Sequence, residues 1–409
     1  MINNIKKKKL FNLIIILLSS IITLIFCELF LYFSNNVKFN LKQSLSNTNI
    51  IKDKRNIYEF YVDEKKIYVP RMFTMDLIKF DKKKKMSLFP LSGFSNSQTI
   101  TCNELGDYKI IKSDKHGFFN QNDRYKKNIE AILIGDSFGM GDCVESKDLI
   151  SEFLSKENIE TLNLSYGNTS TLIQYAILIE FGFELNPKNI IWLYYDNDID
   201  DLNEEINSIT LRSYLFENKK YNLINKEHKK EAFLNELLKQ NINNHFINQN
   251  SNKEINKKDE KKKKERLNPL YFQNLARLIK EISTYRYNFI VSDKDKKSLN
   301  IYETILTKSK EKIESFGGKI YFVLIPDSER FKSVRFQNAT KNKGRVIKIL
   351  KKLDIEYLDG YESINKNFKN PLLLYPLNKK DHFNSKGYNF MSKEIIKMIN
   401  QPWKETLNN

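Results

Sequence analysis

From residue 129 onward the chain alternates short, predominantly apolar runs with segments whose apolar residues recur at helical spacing, and this alternation constrains the architecture more than any other feature. The runs are residues 129–134, Thr161-Leu-Asn-Leu, Ile190-Ile-Trp-Leu-Tyr-Tyr, Lys319-Ile-Tyr-Phe-Val-Leu-Ile and Ile355-Glu-Tyr-Leu. A strand that is apolar at every position, rather than at every second one, must be covered on both faces. Between these runs, Leu149, Ile150, Phe153 and Leu154, then Leu172, Ile173, Ala176 and Ile177, mark amphipathic helices, as do residues 302–316, 345–353 and 385–400. Repeated strand–helix units of this kind predict an α/β fold of three layers, α/β/α, around a mainly parallel sheet.

The rhythm is interrupted at about 217–268, where Asn/Lys-rich sequence lacks apolar periodicity and reads as an insertion with a partly disordered section. A helical pattern resumes at 271–282. Residues 35–128 mix short strand-like runs, such as Lys66-Ile-Tyr-Val-Pro and Lys109-Ile-Ile-Lys, with turns at Gly93 and Gly106. They read as an arm feeding a small β element, ahead of a main domain at 129–409.

At the N-terminus, a basic tail (1–9) with lysines at 6–9 precedes an apolar stretch at about 10–34, long enough to span a bilayer. It is longer than a usual signal-peptide core and offers no small-x-small cleavage site, so the expectation is one uncleaved transmembrane helix. With the lysines held in the cytoplasm, the remainder of the chain is expected on the far side of the membrane. Phe26 stands where a lipoprotein signal needs a small residue before Cys27. The net charge of +18 comes from Lys spread through most of the chain, with no nucleic-acid-binding module behind it, so no nucleic-acid partner is expected.

Gly135-Asp136-Ser137-Phe138 falls at the C-terminal end of an apolar strand, the edge at which open α/β sheets bind ligands. A serine there exposes its hydroxyl beside backbone N–H groups able to stabilise an oxyanion. The stretch Ile132-Leu-Ile-Gly-Asp-Ser-Phe-Gly-Met-Gly-Asp-Cys-Val resembles the first block of the SGNH/GDSL hydrolase superfamily. Leu162-Asn-Leu-Ser-Tyr-Gly-Asn resembles the second, Trp192-Leu-Tyr-Tyr-Asp-Asn-Asp the third and Asp381-His-Phe-Asn-Ser-Lys-Gly-Tyr the last. The resemblance is close over about 85–215 and again at the last block, and it implies a flavodoxin-like sheet. It also implies Ser137 as nucleophile, His382 as general base and acid, and an oxyanion hole made by the N–H groups of Ser137 and Gly167 with the Asn197 amide.

The sequence departs from the family pattern where the usual acid, three residues before the histidine, is Lys379. Either Asp381 orients the ring, or a Ser–His dyad operates with a backbone carbonyl in that place. The chain has four histidines; His228 and His245 fall in the polar insertion and His116 before a glycine turn, so all three read as surface or turn residues. The run Asp196, Asp198, Asp200, Asp201 lacks the glycine and closing glutamate of a calcium loop, and neither metal nor cofactor is expected.

Outside the apolar stretch only Cys102 and Cys143 remain, an even pair expected in an oxidising compartment; a disulfide is expected, with two unrelated buried thiols as the alternative. A similar pair is familiar from the subgroup this chain most resembles, as are Pro90-Leu-Ser-Gly and Asp114-Lys-His-Gly-Phe. The expected activity is that of a single-span enzyme of a bacterial inner membrane with its catalytic domain periplasmic, hydrolysing or transferring O-acyl groups of a surface polysaccharide or glycolipid. Its partners would be the acylated carbohydrate or another ester, the membrane, and, for transfer, a membrane acyl-donor protein. The competing reading is a catalytically weak or inactive protein of the same fold that binds glycans during envelope assembly.

Overall fold

The computed structural model describes residues 11–31, 53–83, 86–265, 293–331, 342–376 and 382–400 of the 409. Phe11–Leu31 is one helix of mean hydropathy 2.7, long and apolar enough to cross a membrane, a property it shares with signal sequences.

Among the described residues of the region read as an arm, β1 (Val69–Pro70) pairs parallel with β2 (Gln98–Ile100), which pairs antiparallel with β3 (Ile110–Lys112). The main sheet comprises β4 (Ala131–Ile134), β5 (Thr161–Asn163), β6 (Asn189–Tyr194), β7 (Lys319–Leu324) and β8 (Glu356–Asp359). All its pairings are parallel and the order is β5-β4-β6-β7-β8. This is the flavodoxin-like order, in which the chain winds one way from β4 to β5 and then the other way to β6. The switch point therefore lies at the C-terminal ends of β4 and β6, and the serine block follows β4 directly.

Every residue of β4 is buried, and β6 is buried from Ile190 to Tyr194, as continuous apolar runs require. Each such Ile or Leu contributes roughly 1.5–3 kcal/mol by leaving water. Trp192 Nε1 in this stretch donates to Gln174 Oε1 at 2.6 Å, and the Gln174 amide donates to the Thr169 carbonyl at 3.2 Å, while the Tyr194 hydroxyl is buried without a partner among the described residues. The Trp192–Gln174–Thr169 chain ties the central strand to the helix Thr171–Ile177 and to the loop holding Gly167.

Two expectations need correction. The Asn/Lys-rich segment contains a helix, Glu227–Glu265. Leu234, Leu237 and Leu238 are buried at spacings of three and four, and buried Lys230 donates to the His116 carbonyl at 2.8 Å and the Ser95 hydroxyl at 2.9 Å. Lys, Glu and Gln are good helix formers, so few apolar anchors suffice. His116, though in a turn, is buried: its Nδ1 stands 2.8 Å from Glu227 Oε1 and its ring packs on Tyr125 and Phe181. The pattern at 271–282 lies outside the described residues.

Candidate active site

The chain leaves β4 at Ile134 and turns at Gly135 into a single helical turn, Ser137–Met140. Asp136 caps that turn, its carboxylate accepting from the Phe138 N–H at 2.9 Å. Burial pushes the Asp136 carboxyl up to about 6, against the lowering effect of that hydrogen bond. The turn ends at Gly141, whose φ of +85° is left-handed and favours glycine, and the Ser137 carbonyl accepts from the N–H groups of Gly141 and Asp142, each at 3.0 Å. Ser137 is thus fixed at the mouth of the switch point.

His382 arrives just before the C-terminal helix Ser385–Asn400, and its Nε2 lies 2.7 Å from Ser137 Oγ. The other ring nitrogen, Nδ1, lies 2.7 Å from Oε1 of Glu104, a residue 278 positions earlier in the chain. Glu104 Oε2 also accepts from the His382 backbone N–H at 3.0 Å. A carboxylate only accepts, so the proton sits on Nδ1 and the lone pair of Nε2 faces the serine hydroxyl. The ring packs on Phe138 with centroids 4.9 Å apart, and Phe138 in turn touches Tyr195 and Phe383. Burial alone would lower the affinity of His382 for a proton; the Glu104 hydrogen bond and the charges of Asp142, Glu104 and Asp136 outweigh it and hold the imidazole above its ordinary value.

Among the described residues the acid on His382 Nδ1 is Glu104; Asp381 lies outside the described residues. Glu104 is brought there by the small sheet, in the turn after β2, and by the disulfide between Cys102 and Cys143. The bridge joins the strand end to the segment following Ser137, and Cys143 Sγ stands 4.0 Å from His382 Nδ1. Cys102, Glu104 and Cys143 offer ligand atoms within 4.8 Å of one another, but the disulfide occupies both sulfurs and leaves no thiolate for a metal.

Gly167 follows β5, and among the described residues its N–H faces the soft Met140 Sδ, at 3.3 Å. Asn197 follows β6, and its side-chain amide donates to Asp201 Oδ2 at 2.7 Å, while its Oδ1 is buried without a partner among the described residues. One of the two amide N–H groups expected at the oxyanion is thus committed to Asp201. Burial, with the charges of Asp136, Asp200 and Glu204, pushes the Asp201 carboxyl up to about 6. The helix behind Gly167 is capped by Glu205, which accepts the N–H groups of Ser170, Leu172 and Ile173 at 2.5, 3.0 and 3.1 Å. Burial nonetheless pushes this carboxyl up to about 8.

Of the residues singled out in the sequence, Ser137 and His382 are brought into hydrogen-bond contact, while Gly167 and Asn197 follow the strands on either side of β4. Sequence reasoning missed Glu104; Cys102, two positions before it and bridged to the serine block, was the available signal. It also missed Asp142, whose Oδ2 lies 3.8 Å from His382 Nε2, and Arg71, its ion-pair partner.

Among solved structures the chain is similar to a member of the lipolytic protein G-D-S-L family from Veillonella parvula (12% identity, 67% of this chain and 99% of that one, TM-score 0.36). It is also similar to Axe2, an acetylxylan esterase from Geobacillus stearothermophilus (12% identity, 68% of this chain and 98% of that one, TM-score 0.35). No family model and no curated protein matches the sequence.

Proposed function

We propose that this chain is an extracytoplasmic serine enzyme that hydrolyses or transfers O-acyl groups, acting from the membrane to which its N-terminal helix anchors it. The observation that carries the reading is the continuous relay from Ser137 Oγ through His382 Nε2 and Nδ1 to Glu104 Oε1, with two contacts of 2.7 Å. Ser137 attacks the ester carbonyl as its proton passes to Nε2. Glu104 holds the ring in the tautomer that can accept that proton and stabilises the imidazolium. The negative oxygen of the tetrahedral intermediate takes the N–H groups of Ser137 and Gly167, and Asn197 as the third donor once it turns from Asp201. Collapse expels the alcohol, which takes the proton from Nε2 and leaves an acyl-Ser137. Water, or the hydroxyl of an acceptor sugar, then gives its proton to His382, attacks the acyl carbon and restores the serine.

The apolar helix Phe11–Leu31 and the Cys102–Cys143 bridge support an envelope location, and that location favours acetyl or other acyl groups of a surface polysaccharide or glycolipid as the substrate. A non-catalytic glycan binder would be favoured by an unoriented histidine; Glu104 removes that motive. The test is a fluorophosphonate probe applied to the full-length protein in detergent. Wild type is expected to label and Ser137→Ala is not; equal labelling of the two would overturn the enzyme reading.

A further inference from the structure

Two buried charges lie against this site without entering the steps above. Asp142, 1% exposed, follows the left-handed turn at Gly141 and brings its Oδ2 to 3.8 Å from His382 Nε2, the nitrogen facing Ser137. Arg71, 8% exposed, leaves the end of β1, donates its backbone N–H to the Ile100 carbonyl at 3.0 Å, and forms an ion pair with that same Oδ2. Its guanidinium lies against Gly167, where a Cβ would stand 2.7 Å from Nη1 and 3.0 Å from Cζ. The absence of a side chain at Gly167 thus makes room for Arg71. Arg71 Nε and Asp142 Oδ1 are both buried without a partner among the described residues.

A buried ion pair with unsatisfied atoms on both members is a poor source of stability, because desolvation offsets most of the attraction. Its position suggests another use. An uncompensated carboxylate 3.8 Å from Nε2 would draw a proton onto that nitrogen, and Nε2–H cannot take the proton of Ser137.

We propose that Arg71 and Asp142 are a positioning pair for His382. Arg71 draws the Asp142 carboxylate into an ion pair so that Nε2 is left to Ser137, while Asp142 remains close enough to stabilise the imidazolium formed as Ser137 gives up its proton. Among the described residues, the charged groups acting on the ring are Glu104 after β2 and Asp136 and Asp142 on either side of the serine turn, and Arg71 after β1 bears on it through its ion pair with Asp142. Tyr388 of the C-terminal helix donates to the Asp142 carbonyl at 3.3 Å, and Tyr195 reaches the ring only through Phe138. The proposal rests on the acyl-enzyme reading of Ser137 and His382, and its test separates the two.

In full-length protein carrying ¹³C-histidine, with the His382 signal assigned by His382→Gln, the midpoint of His382 titration is followed alongside the rate of fluorophosphonate labelling against pH. Arg71→Met is expected to raise the midpoint by about one pH unit or more and Asp142→Asn to lower it by a similar amount. The double variant is expected to return it close to wild type, and Arg71→Lys to preserve it. An unmoved midpoint in Asp142→Asn overturns the proposal, even should Arg71→Met fail to fold. Midpoints that move as expected in a protein that never labels would uphold the pair and overturn the enzyme reading instead.

Discussion

Glutamine at position 104 would keep the shape of the acid and destroy its function. Glu104 accepts twice, from His382 Nδ1–H at 2.7 Å and from the His382 backbone N–H at 3.0 Å. Gln has one acceptor oxygen and one NH₂, so either orientation sets a donor against a donor. Because the backbone N–H cannot move its proton and the ring can, the amide oxygen is expected to take the backbone contact. Its NH₂ then forces a bare Nδ1 and places the ring proton on Nε2, the tautomer unable to accept from Ser137. A charge-assisted hydrogen bond contributes about 1.5–3 kcal/mol, roughly one to two decades of rate. Imposing the wrong tautomer in a serine triad costs on the order of 10⁴ in turnover. Glu104→Gln is therefore expected to lower kcat on an activated acetyl ester by about 10³–10⁴, with KM changing little, because the group stands behind the histidine. Glu104→Ala leaves the tautomer to solvent and is expected to retain more activity than the isosteric Gln. A thermal melt run in parallel keeps folding out of the comparison. A Glu104→Gln enzyme within tenfold of wild type, or less damaged than Glu104→Ala, would refute the role.

Breaking the Cys102–Cys143 bridge with Cys102→Ser should cost up to about 4 kcal/mol from the 41-residue separation it closes, read by urea unfolding. It should also lower kcat where the melt shows the protein folded, since it loosens Glu104. The proton affinity of His382 is raised and its neutral form is the base, so kcat/KM should fall as pH drops through a midpoint above 6.5, the ordinary histidine value. A pH–rate profile with its acid limb below that value contradicts the arrangement. The Asp201 carboxyl, raised from 3.8 to about 6 in the folded chain, holds its proton longer than in the unfolded chain, so its contribution to stability declines as pH rises from about 4 to about 6. Asp201→Asn should therefore gain in melting temperature relative to wild type across that window; a constant difference would show that the group does not titrate there. Leu133→Ala, in the fully buried β4, should cost about 2–5 kcal/mol in the same unfolding measurement.

What could be read in the sequence was whatever depended on local pattern. Residues 131–134 and 190–194 announce a sheet buried on both faces because every position is apolar, and Ser137 follows because it directly ends such a run. His382 was legible through scarcity, as one of four histidines and the one preceding the final helix. Glu104 was not, since its role arises only when the small sheet folds against the serine turn; no periodicity marks a glutamate 278 residues from its histidine. Arg71 and Asp142 were hidden for the same reason. The helix Glu227–Glu265 escaped because its apolar anchors are few, and the burial of His116 because Glu227 and Lys230 of that helix supply its surroundings.

The central claim is that an acyl group passes through Ser137. Rapid quench of the full-length enzyme with an activated acetyl ester, followed by peptide mass mapping, reads this directly. The account predicts an acetyl group on the peptide bearing Ser137, lost in Ser137→Ala and strongly reduced in His382→Ala. Turnover of the ester by wild type with no adduct in the quench, or an adduct that persists in Ser137→Ala, would contradict it.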